Sequence, residues 1–427
     1  MNAEPKTPSR LLRWVFGIAT GKKTGSVFQG SLDFSAGVSN TASKSAPSSQ
    51  NSAATSKALA KASKDFEAFL EASGPTTARQ RIFDQYLGKA EKHGLHKIDD
   101  ADQPVEFTAS RETWALIHLA AQYSNSVYRD PAPPTGVLIK PEALGDRKKA
   151  FICLEELPHN ERDGTNQSGS SRVLVVAIRG SVTRLDWLVN GNGEPSASDI
   201  GGLPGSNADP RQWHKGFLGV VKTMQDRVAE AVVQQLNSST DSSKPIDLLF
   251  TGHSAGGAIA QLFYAMCTST RSGSSVFAKA LPKFRHVNCI VFGTPPVATS
   301  RVIVPSRKPG LFLSIVNEGD PVPLIQQRYV DVLLKSFVLS PDSDEMRKLY
   351  PTGFAVPELK FRVSGPCIVL RDNNDDDIDE SGWNAISVSP EVLERKLFGN
   401  VAAHYMTVYL KRITALASTA EAQSLDS

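Results

Sequence analysis

Long apolar runs are missing from this 427-residue chain, and none reaches the roughly 18 residues that a membrane-spanning helix requires. Cysteine is scarce. Cys153, Cys267, Cys289 and Cys367 are widely spaced and form no C-x-x-C pair, which removes zinc and dithiol motifs and leaves no disulfide framework. An excess of one charge is lacking too. The 47 basic and 44 acidic residues leave a net +3, too balanced for nucleic acid as the main partner. Hydrophobic residues make up 40%, low enough to imply a disordered fraction. Residues 11–19 (LLRWVFGIA) are apolar but short and broken by Arg13, a poor core for a secretory leader. The acidic run 372–380 has no ordered ligand spacing and reads as a solvated loop, so neither metal nor cofactor is expected.

The stretch that organises the rest is 246–266, IDLLFTGHSAGGAIAQLFYAM. A short apolar run has the length of a buried strand. Gly252-His253-Ser254-Ala255-Gly256 follows, and then Ala258, Ile259, Leu262, Phe263 and Met266 recur at helical spacing. A G-x-S-x-G pentapeptide is weak by itself, and strand–turn–helix context makes it specific. Only residues without a Cβ fit two places either side of a serine on so tight a turn. The serine is then held in a strained conformation with its Oγ presented outward. The Ala255 amide opens the new helix, where N–H groups without helical partners can face an anion. The bland alternative is a Gly/Ser-rich turn without chemistry.

Along the chain, residues 1–23 carry Lys6, Arg10, Arg13, Lys22 and Lys23 against Glu4. Three readings stay open: a disordered basic arm, an amphipathic helix on an anionic membrane surface, and a mitochondrial-type leader. The Ser/Ala-rich composition of 31–63 points to disorder, giving an arm over 1–63. Two amphipathic stretches, around Phe66-Phe69-Leu70 and Ile82-Phe83-Tyr86-Leu87, make 64–106 a helical lead-in. The folded domain is expected over 107–420. Within it, RVLVVAIRG (172–180) has the continuous apolar character of a strand covered on both faces. Residues 287–292 and 311–316 are further strands, 361–370 a β-rich segment near a sheet edge, and 392–410 contains a late helix with His404. Repeated strand–loop–helix units imply an α/β fold with an open, mostly parallel central sheet and helices on both faces. Sites in such sheets form beyond the carboxyl ends of the strands, where Ser181, Ser254 and Asp320 fall.

A serine hydroxyl needs a base, and the base needs an orienting acid. In α/β-hydrolases the chain order is serine, acid, histidine. Only His286 and His404 follow Ser254, and no Asp or Glu lies between Ser254 and His286, so His404 is the candidate base. For the acid, Asp320 follows a strand in a Gly/Pro-rich turn. Asp331 sits inside a helix or strand, and Asp342, Asp344 and the 372–380 run lie in polar loops. Oxyanion donors are expected from the Ala255 amide and from Ser181, since Arg179-Gly180-Ser181 stands where an HGGG loop would.

VVAIRGS (175–181), HKGF (214–217), TGHSAGG (251–257), FGTPP (292–296), NEGDPVP (317–323) and HYMTVY (404–409) together resemble the fungal-type (class 3) triacylglycerol lipases. The resemblance implies an α/β-hydrolase with Ser254 as nucleophile, Asp320 as acid, His404 as base, and oxyanion donation from Ser181 and Ala255. It also implies a lid over 182–192, with Trp187 and Leu188 facing the acyl site; ordinary core packing is the alternative for those two. His214 lies in a family motif but precedes the serine and reads as structural. The function implied is a serine carboxylic ester hydrolase acting on acylglycerols at a membrane or droplet surface. A phospholipase or lysophospholipase with the same residues and a non-catalytic lipase-like binding protein are the alternatives. Secreted relatives carry a leader and disulfides; this chain shows neither, so an intracellular enzyme is expected, cytoplasmic or peripheral to a membrane, with mitochondrial import left open.

Overall fold

The computed structural model describes residues 49–70, 77–129, 136–140, 148–157, 171–181, 193–198, 211–238, 245–268, 275–302, 310–372 and 382–426. It begins with two helices, α1 (Ser49–Leu70) and α2 (Thr77–Ala90). Residues 49–63 are therefore helical, against the disorder that their composition suggests. Ala53, Ala54, Ala58, Ala60 and Ala62 favour helix, and Leu59, Ala62, Phe66 and Phe69 recur at helical spacing into one packed cluster. Lys61 and Lys64 between them face outward, while Ser63 is buried with the apolar stripe. On α2, Phe83 is buried against Phe69, with ring centroids 4.5 Å apart.

The main sheet follows. β1 (Val105–Glu106) precedes α3 (Arg111–Ser126), whose first turn is capped by the Ser110 hydroxyl accepting from the Thr113 amide. Next come β2 (Val137–Ile139), β3 (Ala150–Leu157), β4 (Ser171–Ile178), the small pair β5 (Pro195–Ser196) and β6 (Trp213–His214), then α4 (Lys215–Ser238). β7 (Ile246–His253), α5 (Ala255–Thr268), β8 (Phe284–Phe292), β9 (Phe312–Asn317), α6 (Gln327–Val338), β10 (Cys367–Asp372), β11 (Trp383–Val388) and α7 (Met406–Asp426) complete it. Among the described residues the sheet has nine strands in the order β1-β11-β10-β9-β8-β7-β4-β3-β2. Its centre, β4-β7-β8-β9-β10, is parallel, and both flanks are antiparallel.

The continuous apolar character of β4 has a simple cause. Leu174, Val176 and Ile178 point into a core shared with α4 and α5, while Val173, Val175 and Ala177 point into a second core under α3 and α7. Burying a side chain of this size contributes about 1.5–3 kcal/mol, so both faces hold the strand in register. Helix α5 is buried all round because it lies between the sheet and α4. A third core joins α1, α2 and α6 to the ends of β9, β10 and β11.

The β-rich segment at 361–370 lies near a sheet edge, as its sequence suggests: β10 is third from the end, with β11 and β1 beyond it. The late helix does not contain His404, contrary to the sequence expectation. The chain turns at Gly399-Asn400, where a Cβ on Gly399 would lie 3.1 Å from both Leu333 and Phe337, a tight fit. Asn400 then caps a 3₁₀ turn, Val401–His404, before α7 begins. Helix propensity yields there to a cap and a crowded crossing. His404 ends a tight turn as a result.

Candidate active site

At the carboxyl end of β7 the backbone reverses into α5, with Ser254 at φ 57°. A serine rarely adopts that left-handed geometry, and the strain is held by its surroundings. Ser254 N donates to Phe292 O at 2.9 Å, tying the turn to β8. The glycines act sterically, as the sequence requires. A Cβ on Gly252 would lie 2.6 Å from the Gly256 carbonyl carbon, and one on Gly256 would lie 2.0 Å from Ile178 O. The second contact also shows how closely β4 approaches the elbow. Gly180, one residue before Ser181, sits where a Cβ would be 3.2 Å from Ser254 Cβ. Gly180 thus abuts the serine, with Ser181 next in the chain after β4, while Ala255 opens α5.

Asp320 follows β9 in the turn Asn317-Glu318-Gly319 and is completely buried. Its Oδ2 accepts from His404 Nδ1 at 2.9 Å and from the Tyr409 hydroxyl at 2.6 Å; its Oδ1 accepts from Val322 N at 2.9 Å. A buried carboxylate is costly unless its lone pairs are used, and here three donors use them. The acceptor at Nδ1 fixes the proton there, leaving Nε2 of His404 as the basic nitrogen. The acid and base loops are also joined by one side-chain and one backbone donor. Asn317 Nδ2 donates to Ala403 O at 2.7 Å, and Asn400 N donates to Gly319 O at 2.8 Å. Gly293, after β8, has φ 51°, and a Cβ on it would lie 2.6 Å from Asp320 Oδ2 and 3.0 Å from His404 Nδ1.

His404 meets the elbow through His253. The two rings are 4.5 Å apart, and His253 Nε2 lies 2.6 Å from the His404 carbonyl oxygen. A carbonyl only accepts, so His253 carries its proton on Nε2, and its Nδ1 accepts from the Tyr128 hydroxyl at 2.9 Å. Burial first, and the neighbouring His404 second, hold the His253 pKa well below the ordinary histidine value. It stays neutral and does not compete as a base. Among the described residues Ser254 Oγ and His404 form no hydrogen bond; catalytic contacts of this kind commonly tighten only once substrate is bound. The arrangement can take a proton from a serine hydroxyl, pass it to a leaving group, and stabilise the imidazolium by a buried carboxylate.

Sequence reasoning thus meets Ser254, Ala255, Ser181, Asp320 and His404 at one rim of the sheet. It missed Tyr128, His253, Asn317 and Tyr409. Three of these lie inside motifs already singled out, but only the packing reveals their partners. The expected lid, 182–192 with Trp187 and Leu188, lies outside the described residues, as do residues 373–381 of the acidic run. His214 is buried between Phe217 and Phe361, away from this chemistry. Asp331 is on α6, bonded to Lys335 at 2.7 Å.

Residues 175–329 match the family model of lipase (class 3). Over 160 residues the chain is 31% identical to phospholipase A(1) DAD1, chloroplastic, of Arabidopsis thaliana; the match covers 35% of this chain and 33% of that protein. The chain thus spans about a third of the length of that relative. Among solved structures, a triacylglycerol lipase from Penicillium expansum aligns with TM-score 0.42 and 13% identity, over 72% of this chain and 98% of that one. The Rhizomucor miehei lipase propeptide complex aligns with TM-score 0.39 and 17% identity, over 70% and 80%. Residues 175–329, which hold the nucleophile elbow and the acid turn, therefore match the class 3 lipase family, and the sheet that carries them has the α/β-hydrolase architecture.

Proposed function

We propose that this protein is a serine hydrolase that cleaves carboxylic esters of lipids through an acyl-enzyme. The observation that carries the reading is the buried Asp320–His404 pair, 2.9 Å apart, set beside a strained serine elbow. In this reading His404 Nε2 removes the Ser254 proton as Oγ attacks the acyl carbonyl carbon. The carbonyl oxygen takes the negative charge and is met by the Ala255 amide and by donors of Ser181. The intermediate collapses, the alcohol leaves with the proton from His404, and water repeats the cycle to release the acid. Asp320 orients His404 and stabilises the imidazolium.

Acylglycerols are the substrate class implied by the motif set, and a lid at 182–192 tipped by Trp187 and Leu188 suits work at a lipid surface. Phospholipid is the second reading, favoured by the match to a phospholipase A(1). Hydrolysis of mixed neutral-lipid and phospholipid vesicles, with product analysis, separates the two by whether diacylglycerol or lysophospholipid accumulates beside the fatty acid. Ser254→Ala and Asp320→Asn are expected to lower kcat by roughly 10⁴-fold or more on p-nitrophenyl esters, with the fold retained. A fluorophosphonate should label the wild type and not Ser254→Ala. Unchanged turnover in Ser254→Ala, or a folded wild type that resists the probe, favours a binding protein that has lost catalysis.

A further inference from the structure

A seam runs between the lead-in segment and the hydrolase body, beside the acid and base loops. Leu397 N donates to Leu95 O at 2.7 Å, Ile98 N to Glu318 Oε1 at 2.8 Å, and Arg371 Nη1 reaches Ile98 O at 3.5 Å. Lys396 pairs with Asp102 across the same boundary. Behind these contacts the seam opens into a cavity of about 610 Å³. That is within the size range of small-molecule sites, roughly 300–1,000 Å³.

Two buried polar atoms on its lining have no hydrogen-bond partner among the described residues, and they come from opposite sides. Arg412 is 9% exposed and its Nε is unpaired, while His96 of the lead-in has an unpaired Nδ1. Native proteins leave few such groups unsatisfied, and two on one cavity point to an occupant. The charge lining it indicates the kind. Arg371, Arg412 and Lys97 contribute three cations. Of the three acids, Asp372 lies 3.6 Å from Arg412 and Glu318 is engaged by the Ile98 amide; Glu91 and Lys97 are both exposed, so the buried part of the lining is set by Arg371 and Arg412. Arg412 is further fixed by Trp383, its guanidinium 4.3 Å from the ring centre, and by bonds to Asn317 Oδ1 and Leu370 O. Its guanidinium is thus already oriented, which lowers the cost of binding.

We propose that this seam cavity binds a small molecule through an anionic oxygen group, carboxylate or phosphate, held between Arg371 and Arg412 of the body and Lys97 of the lead-in. The site is distinct from the serine elbow. It touches Gly319 and Asn400, which are bonded to each other and lead into Asp320 and His404 respectively. An occupant there braces the two loops that carry the acid and the base.

The test is binding, so it does not depend on the reaction. Thermal unfolding of the full chain is followed in sodium phosphate, glycerol 3-phosphate or sub-micellar sodium octanoate, each against sodium chloride at matched ionic strength. At about ten times the dissociation constant, a bound probe should raise Tm by about 2 °C above chloride. A response to the phosphates identifies a phosphate ligand, and a response to octanoate alone a carboxylate. The rise should be lost in Arg371→Gln and at least halved in Lys97→Gln, whose exposed side chain can be changed without risk to the fold. No rise above chloride in the wild type means a cavity filled by water alone and overturns the proposal. An equal rise in both variants overturns it as well, since the anion then binds elsewhere.

Discussion

Gly293 and Tyr409 show how narrowly the acid–base pair is built. A methyl group on Gly293 would press on both Asp320 Oδ2 and His404 Nδ1, and φ 51° already disfavours any side chain. Displacing the pair by a fraction of an ångström is enough to disturb proton transfer. Gly293→Ala is therefore expected to reduce kcat by about 10²-fold, seen in ester turnover alongside a circular dichroism spectrum that stays folded. Full turnover would show that the pair tolerates the shift. Tyr409 is buried, donates to Asp320 and accepts from Asn317 N at 2.9 Å. Burial foremost, reinforced by Asp320, pushes its pKa well above the ordinary tyrosine value, so the hydroxyl remains a donor. Tyr409→Phe strands the Asn317 amide and removes one donor from a buried carboxylate. Urea denaturation should report a loss of about 1–3 kcal/mol.

At the scale of elements, the lead-in helices are part of the site's support. Phe83 packs on Phe69 and, at 5.7 Å, on Phe337 of α6. Phe69 in turn meets Tyr405, directly after His404, with ring centroids 6.3 Å apart, and its carbonyl accepts from the Tyr405 hydroxyl at 3.3 Å. Emptying the Phe83 position leaves a cavity in the layer behind the histidine turn. Phe83→Ala should cost about 3–5 kcal/mol in chemical denaturation and lower kcat at temperatures where the protein is still folded. Undiminished kcat alongside the lost stability would separate α2 from the site. Amphipathic spacing made the existence of both lead-in helices legible. The start of α1 was not, because an Ala/Ser-rich stretch reads equally as tail or helix until Leu59 and Ala62 find a surface to cover. The break before α7 was hidden for a related reason: a cap at Asn400 and the crowding of Gly399 are properties of the crossing.

For the whole molecule, histidines set the acid limit of stability. Burial lowers the pKa of His93, His96, His118 and His253. Each therefore binds a proton less readily in the folded state than in the unfolded chain, whose value is about 6.5. The unfolded state takes up more protons as pH falls below that value, so stability is complete above it and is lost on acidification. Tm should change little from pH 7.5 to about 6.5 and then fall towards pH 5.5, followed by calorimetry at constant ionic strength. A flat or rising Tm across that interval would contradict the burial of these rings. Depressed carboxylates such as Asp102 and Glu391 extend the loss at lower pH, below about 4.

Sequence alone determined the sheet class, the elbow and the chain order of serine, acid and histidine. Each of these is written in local patterns: a continuous apolar run for a strand buried on both faces, glycines where backbones touch, a Gly/Pro turn behind a strand. Elimination could reach His404 because the chain offers so few histidines after Ser254. Only the tertiary structure decided that Tyr409 and Val322 complete the bonding of Asp320, that His253 grips the backbone of His404, and that the lead-in segment backs the histidine turn. Those contacts join residues far apart in the chain, and a hydrogen bond or a packed ring depends on distances between side chains that no local pattern encodes.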